Sequence, residues 1–225
     1  MNTDALLNDV AIRCFRDVAD HDYIVARMAY RTNLFQQFHW SSLQAIEKYL
    51  KAILLFNRIK AKDVNHDLAK AMKHTKKLPF PIQLSESSKN FIEHIDKFGR
   101  FRYLESSFYI HGPKLVELDR TVWEIRRYCK LMNYDAQLQS GKSINTMDVE
   151  LEQISRSEKE NPQKFKLLGG ALENVVDNKD HPARSALIWQ NAFFGSSRRW
   201  RREVTVPVYM HSTNAPLTLH PEILE

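Results

Sequence analysis

The stretch from Trp40 to Leu68 decides the fold: it begins W-S-S-L-Q-A-I-E-K-Y-L-K-A-I-L-L-F-N-R, passes through a short polar connector and ends N-H-D-L. Its apolar residues recur at helical spacing, with charged residues between them, so one helix has a buried stripe and a charged flank. The stripe consists of Leu43, Ile46, Leu50, Ile53 and Leu54. The preceding segment, which starts near Asp20, contains D-Y-I-V-A-R-M-A-Y-R-T-N-L-F-Q-Q-F. Together the two segments predict a helical hairpin.

Local signals predict further helices around this hairpin. The first hairpin helix is expected to run to about Phe38 and its partner over 40–57. Ser85 can cap a helix that Gly99 stops, and Pro113 suits the first turn of another. This last helix has a 3.5-residue apolar repeat, typical of a bundle or of a dimer seam, and charged residues on its opposite face. The repeat is Leu115, Leu118, Val122, Ile125, Cys129 and Met132.

Three matches give the chain a resemblance to the HEPN domain, a helical family found beside nucleotidyltransferases and in bacterial toxin and defence proteins. They are A-R-M-A-Y in the first helix, Q-A-I-E-K-Y-L-K-A at 44–52, and His66-Asp67-Leu68 at the start of the next helix. The resemblance covers roughly residues 18–134. We expect Glu47 and Lys48 to pair with neighbours across the hairpin, and His66 or Asp67 to cap a helix.

The resulting fold prediction is all-α: an antiparallel, HEPN-like helical bundle with an irregular helical C-terminal extension and an extended arm. A short leading helix at 1–17 precedes the bundle at 18–134, and a polar linker at 135–147 follows it. The extension and tail occupy 148–225, with helical patterns near 148–159, 163–176 and after Pro182. The segment E-V-T-V-P-V-Y-M-H-S has the alternation of an extended arm at an edge.

Composition describes an ordinary soluble chain with an excess of positive charge. The 225 residues are 43% hydrophobic and 27% charged, with a net charge of +6. The two cysteines, Cys14 and Cys129, are far apart, which fits a reducing cytosol and no disulfide framework. A signal peptide and a membrane-spanning stretch are missing from the sequence, so we expect a cytoplasmic protein without membrane contact.

Motifs for cofactors and metals are missing from the sequence. The glycines form neither a dinucleotide fingerprint nor a P-loop, and H-E-x-x-H and G-x-S-x-G do not occur. We therefore expect no cofactor and no metal site.

The resemblance implies a metal-independent ribonuclease site in active members, built from an Arg, four to six intervening residues and a His. A guanidinium would stabilise phosphate charge, and an imidazole would move the proton of a 2′-hydroxyl. Arg16 and His21 satisfy this spacing but lie early in the chain, whereas eight residues separate Arg102 from His111. Both pairs are candidates for catalysis. Arg100, with Arg102, Tyr103 and His111, forms a looser group that could contact phosphate, or it tethers the last helix of the bundle.

A second candidate for phosphate binding is the cluster Arg198-Arg199-Trp200-Arg201-Arg202. Arginines bind phosphate backbones without sequence preference, and the tryptophan could stack on an unpaired base. The alternative is a solvated turn, or pairing with acidic residues of a neighbouring subunit.

Three functional interpretations follow from these patterns. The first is a HEPN-like module, expected to be a homodimer, that binds RNA or a nucleotide and a partner protein encoded nearby, as in a toxin–antitoxin or phage-defence system. The second is a metal-independent endoribonuclease of HEPN toxin type. The third is a purely structural assembly subunit. The absence of a late Arg/His pair with family spacing favours the first.

Overall fold

The helical hairpin predicted from the sequence is at the centre of the structure. The computed structural model describes residues 3–64, 66–99, 107–130, 133–137, 139, 141, 143–196 and 203–215. Helix α1 (Thr3–Val10) continues through a π-helical turn (Ala11–Arg16) into α2 (Asp17–Arg31), and α3 (Phe35–Phe56) packs along α2. The leading segment is thus part of one continuous helical run.

The turn of the hairpin lies earlier than predicted. We expected it between Phe38 and Trp40, but α2 ends at Arg31 and the chain reverses over 32–34. Asn33 has a φ of 62°, a conformation that asparagine tolerates better than most residues. The Leu34 N–H donates to the Ala29 carbonyl at 2.8 Å, which closes the helix end as in a Schellman motif.

Three helices complete the bundle: α4 (Leu68–Thr75), α5 (Glu86–Phe98) and α6 (Lys114–Arg126). The prediction that Ser85 caps α5 and Gly99 ends it is confirmed, since the Ser85 side chain accepts from the Ser88 N–H at 3.3 Å. Asp67 caps α4 by accepting from the Lys70 N–H at 2.7 Å. The helix-start prediction at 66–67 is therefore correct for Asp67.

The apolar repeat of α6 lies in the core of this single chain. Five of its members have no solvent exposure, namely Leu115, Leu118, Val122, Ile125 and Cys129; Met132 is outside the described residues. Because the stripe packs against the chain's own helices, it is not available to a second copy. The homodimer stays a prediction and needs another surface.

Short strands accompany the mostly helical fold, so the all-α prediction is right in its main class and misses these pairings. Strand β1 (Phe108–Gly112) pairs antiparallel with β4 (Tyr209–Thr213), the end of the predicted extended arm. Strands β2 (Asp135–Gln137) and β3 (Ser143–Asn145) form a second antiparallel pair within the segment expected to be a linker.

The C-terminal extension contains the short helices α7 (Met147–Ser157), α8 (Ala171–Asp177) and α9 (Arg184–Ile188). Helices α8 and α9 pack on α2, whereas α7 contacts the end of α6, where Arg127 donates to the Ile154 carbonyl. The helix predicted over 163–176 is divided. A 3₁₀ turn covers Pro162–Lys164, and α8 begins only after Gly170. Gly169 has a φ of 67°, a left-handed conformation that an α-helix cannot continue through.

Candidate functional site

One surface of the bundle gathers histidines, aromatic rings and lysines from three elements. It lies where the end of α5, the strand β1 and the start of α6 meet, with α3 behind them. We call it the aromatic–basic face. Its members are His94, Lys97 and Phe98 of α5, Tyr109 and His111 of β1, Lys114 of α6, and His39 of α3 beneath them.

A pair of histidines forms the floor of this face. The Nε2 atoms of His39 and His94 are 3.0 Å apart, so one ring donates a hydrogen bond to the other. Gly99 allows α5 to approach α3 this closely. A Cβ at Gly99 would lie 2.9 Å from the Leu43 Cβ and 3.0 Å from the His39 carbonyl oxygen, closer than real side-chain atoms come.

Both histidines are uncharged near neutral pH. Burial, and then the neighbouring His94 ring, lowers the pKa of His39 to about 3. Burial, and then the positive charges of Lys114 and Lys97, lowers the pKa of His94 to about 4. A general base works best with a pKa close to the working pH, so this pair is poorly suited to proton transfer.

Aromatic rings form the rim of the face. The Tyr109 ring meets the Phe98 ring edge-on at 5.3 Å and the His94 ring at 5.5 Å, while half of Tyr109 is exposed to solvent. Lys97 Nζ lies 5.2 Å from the centre of the Phe98 ring. His111 is exposed two residues after Tyr109, so the two side chains share the outer side of β1, about 7 Å apart.

This arrangement offers the two kinds of contact that an unpaired nucleotide requires. The exposed Tyr109 ring can stack on a base, and the exposed ammonium group of Lys97 attracts phosphate. The Lys114 ammonium group pairs with Glu117 at 2.8 Å. The predicted residue His111 belongs to this surface. Arg100, Arg102 and Tyr103, which follow Gly99 closely in sequence, lie outside the described residues. So does the whole cluster Arg198, Arg199, Trp200, Arg201 and Arg202.

The early Arg/His candidates occupy different environments. Arg16 is only 4% exposed, and its guanidinium donates to Asp17 at 3.0 Å and to the Gly169 carbonyl at 2.7 Å. His21 is exposed on α2. The contacts of Arg16 are those of a structural residue, and a catalytic role for this pair stays a prediction.

Residues from two of the three matched motifs contact each other. Glu47 is 2% exposed, and its carboxylate lies 2.7 Å from His66 Nδ1 and accepts from Lys51. Burial raises the pKa of Glu47, but the hydrogen bonds from Lys51 and His66 outweigh it and leave that pKa below its ordinary value. Lys48 pairs with Asp22 across the hairpin as expected, whereas Glu47 instead ties α3 to the residues before α4.

Comparison with models of protein families, with curated proteins and with solved structures finds no match to this chain. The resemblance to the HEPN domain therefore depends on the sequence motifs. Within the described ranges, no three histidines, cysteines or carboxylates are grouped to hold a metal ion. In the same part of the chain, no helix has both the length and the apolar character to cross a membrane.

Proposed function

We propose that the chain is a HEPN-like helical module that binds RNA or a nucleotide at the aromatic–basic face and also binds a partner protein, as in a toxin–antitoxin or phage-defence pair. The observation that supports RNA binding best is the half-exposed ring of Tyr109, which has Phe98 and Lys97 beside it and Lys114 close by. The net charge of +6 favours an anionic ligand as well.

Binding is a better proposal than cleavage because the spacing from Arg102 to His111 is longer than the ribonuclease motif allows, and the histidine pair beneath the face cannot replace that motif. His39 and His94, with pKa values of about 3 and about 4, are too weak as bases to accept a 2′-hydroxyl proton efficiently. Arg16 is engaged by protein groups. The endoribonuclease and the structural assembly subunit remain the alternatives that the experiments below separate.

The first experiment measures the affinity of a fluorescent oligouridine of about 12 nucleotides by anisotropy. Tyr109→Thr removes the stacking ring and keeps a β-branched residue suited to a strand. We expect it to weaken binding by about 5- to 150-fold, equivalent to the roughly 1–3 kcal/mol that a stacked base contributes. The matched variant Tyr109→Phe keeps the ring and should bind like the original chain.

A second pair of variants tests the lysines. Lys97 and Lys89 are both exposed on α5, but only Lys97 belongs to the face, whereas Lys89 pairs with Glu86 one turn away. Lys97→Ser should reduce the slope of log Kd against log salt by about one, and Lys89→Ser should leave it unchanged. If both lysine variants behave alike and Tyr109→Thr binds normally, the face is not the RNA site.

A further inference from the structure

A groove lies beside α4, away from the aromatic–basic face, and we call it the α4 groove. One wall is a face of α4, and the other is the proline-containing segment at 78–82. The cleft between them has a volume of about 830 Å³, within the range of protein binding clefts. Its lining includes Met72, Lys73 and Lys76 on α4, and Leu78, Phe80 and Ile82 on the segment.

The second wall of the groove is held in place by buried anchors. Phe80 is 4% exposed and stacks on Tyr128, with the ring centres 5.8 Å apart and the planes 12° from parallel. The Leu78 N–H donates to the Thr75 carbonyl at 3.0 Å. Pro79 and Pro81, which alternate with these anchors, fix the backbone φ angles. The groove is therefore preformed, so little conformational entropy is lost from its walls when a partner binds.

The rim of the groove is strongly basic. The sequence from 68 to 85 contains four lysines and no aspartate or glutamate. All four lysines are exposed, and within the described parts of the chain none of them forms an ion pair. They are Lys70, Lys73, Lys76 and Lys77, and of these Lys73 and Lys76 line the groove and form the lysine rim.

We propose that the α4 groove docks an acidic amphipathic helix of a partner protein. The inference specifies the partner-binding part of the proposed function and rests on it. Apolar anchors of such a helix would contact Met72 and Ile82, and its carboxylates would pair with the lysine rim. RNA does not suit this groove, because phosphates gain nothing from an apolar floor.

The shape of the groove favours a helix over an added strand. Strand addition requires a row of free backbone N–H groups, and Pro79 and Pro81 have none to offer. Helix α4 has eight residues and is about 12 Å long, so the groove accommodates about two turns of a docked helix, with anchors at i, i+3 or i+4, and i+7.

The proline-containing wall of the groove and the aromatic–basic face lie toward opposite ends of α6. The segment after the groove contacts the end of α6, where the Gln83 N–H donates to the Tyr128 hydroxyl and the Ser85 N–H to Glu124. Lys114, a member of the face, is the first residue of α6. At 1.5 Å per residue the proline-containing wall and Lys114 are about 15–20 Å apart. The start of α4 lies nearer the face, because the Leu68 N–H donates to Asp96 of α5 at 2.9 Å.

The test is a selection from a phage-displayed random peptide library on the full-length chain, followed by affinity measurements on the enriched peptides as synthetic probes. We expect enriched sequences to combine Asp and Glu with apolar residues at helical spacing. Lys73→Glu with Lys76→Glu should weaken their binding by about tenfold or more. The control, Lys159→Glu with Lys179→Glu, makes the same change in net charge at exposed positions outside the groove and should weaken binding less than about twofold.

Methyl NMR locates the bound peptide. The Met72 and Ile82 methyl signals should shift with peptide, and the exposed Met28 on α2 should not. The proposal is overturned if no peptides are enriched or if the enriched peptides lack acidic residues. It is also overturned if the groove variant and the control variant lose the same peptide affinity. Oligouridine that shifts the Met72 and Ile82 signals would overturn it as well, since the groove would then be a nucleic-acid site. Failure of oligouridine to bind anywhere, with peptide binding intact, would instead overturn only the RNA part of the proposed function.

Discussion

Replacing Asp20 by asparagine should destabilise the fold far more than a similar change at the surface. Asp20 has no solvent exposure and accepts four hydrogen bonds. Arg126 donates from Nε at 2.7 Å and from Nη2 at 2.8 Å, the Tyr49 hydroxyl donates at 2.6 Å, and the Leu172 N–H donates at 3.1 Å. Arg126 also binds Glu173 through two bonds of 2.7 Å. One carboxylate therefore joins α2, α3, α6 and α8.

The size of the effect follows from what asparagine cannot do in that position. Its amide group accepts through one oxygen only, and its NH₂ would point at Arg126 or at the Leu172 N–H, both of which are donors. Breaking a buried ion pair by removing one charge costs about 3–5 kcal/mol. The total free energy of unfolding of a typical domain is about 5–15 kcal/mol, so the loss is a large fraction of it.

The matched control is Asp177→Asn. Asp177 accepts from Lys166 at 2.7 and 2.8 Å, but the two side chains are 60% and 45% exposed. Exposed pairs contribute about 0–1 kcal/mol. Urea unfolding measures both variants, and a change in midpoint at constant m-value reports stability. A loss of stability in Asp20→Asn of less than about 1 kcal/mol, or no greater than in Asp177→Asn, would refute the stabilising role of the buried Asp20–Arg126 pair.

Three further predictions concern pH and RNA. The folded-state pKa values of His39 and His94, about 3 and about 4, lie below the ordinary 6.5, so the unfolded chain binds more protons between these values and stability falls as pH is lowered. Urea titrations should show that His39 lowers the free energy of unfolding by about 2 kcal/mol between pH 6.5 and 5. His39→Gln should flatten this pH dependence, and an unchanged pH dependence would contradict the lowered pKa of His39. Gel assays should show no rapid RNA cleavage by the purified chain, with or without a chelator, whereas robust turnover that is lost in His21→Ala or His111→Ala would make it a ribonuclease. Changing the four arginines of the cluster at 198–202 to serine should flatten the salt dependence of RNA binding if these arginines contact the RNA. An unchanged salt dependence would show that they do not contact it. These positions are Arg198, Arg199, Arg201 and Arg202.

Elements defined by local signals could be predicted from the sequence. The start of α5 at Ser85 and its end at Gly99 follow from a side chain and a backbone that act within a few residues. The hairpin turn was misplaced although its signal was present. Thr32 and Asn33 interrupt the apolar pattern, but an asparagine can also continue a helix, so periodicity alone did not locate the turn.

The aromatic–basic face could not be predicted, because its contacts join distant parts of the chain. His39 and His94 are 55 positions apart in the sequence, and neither stands in a recognisable motif. Tyr109 contacts Phe98 because the chain returns as a strand after α5, and the sequence did not predict that strand. His111 is a candidate in the sequence because of its spacing from Arg102, whereas in the structure the alternation of β1 places it at the face.

The buried arginines explain why the C-terminal third belongs to the same folding unit as the bundle. Arg27, Arg126 and Arg127 are at most 3% exposed, and a guanidinium in that environment must be paired. Each finds partners beyond residue 150: Arg27 donates to the Ala186 and Trp189 carbonyls, Arg126 to Glu173, and Arg127 to the Ile154 carbonyl, Ser157 and Glu158. Without that third, three charges in the core would lose these partners, and each uncompensated charge costs several kcal/mol. Arg27 and Arg126 also pair with Asp119 and Asp20 inside the bundle, so the partners beyond residue 150 complete sites that the bundle satisfies only in part, and the buried arginines mark where the extension packs.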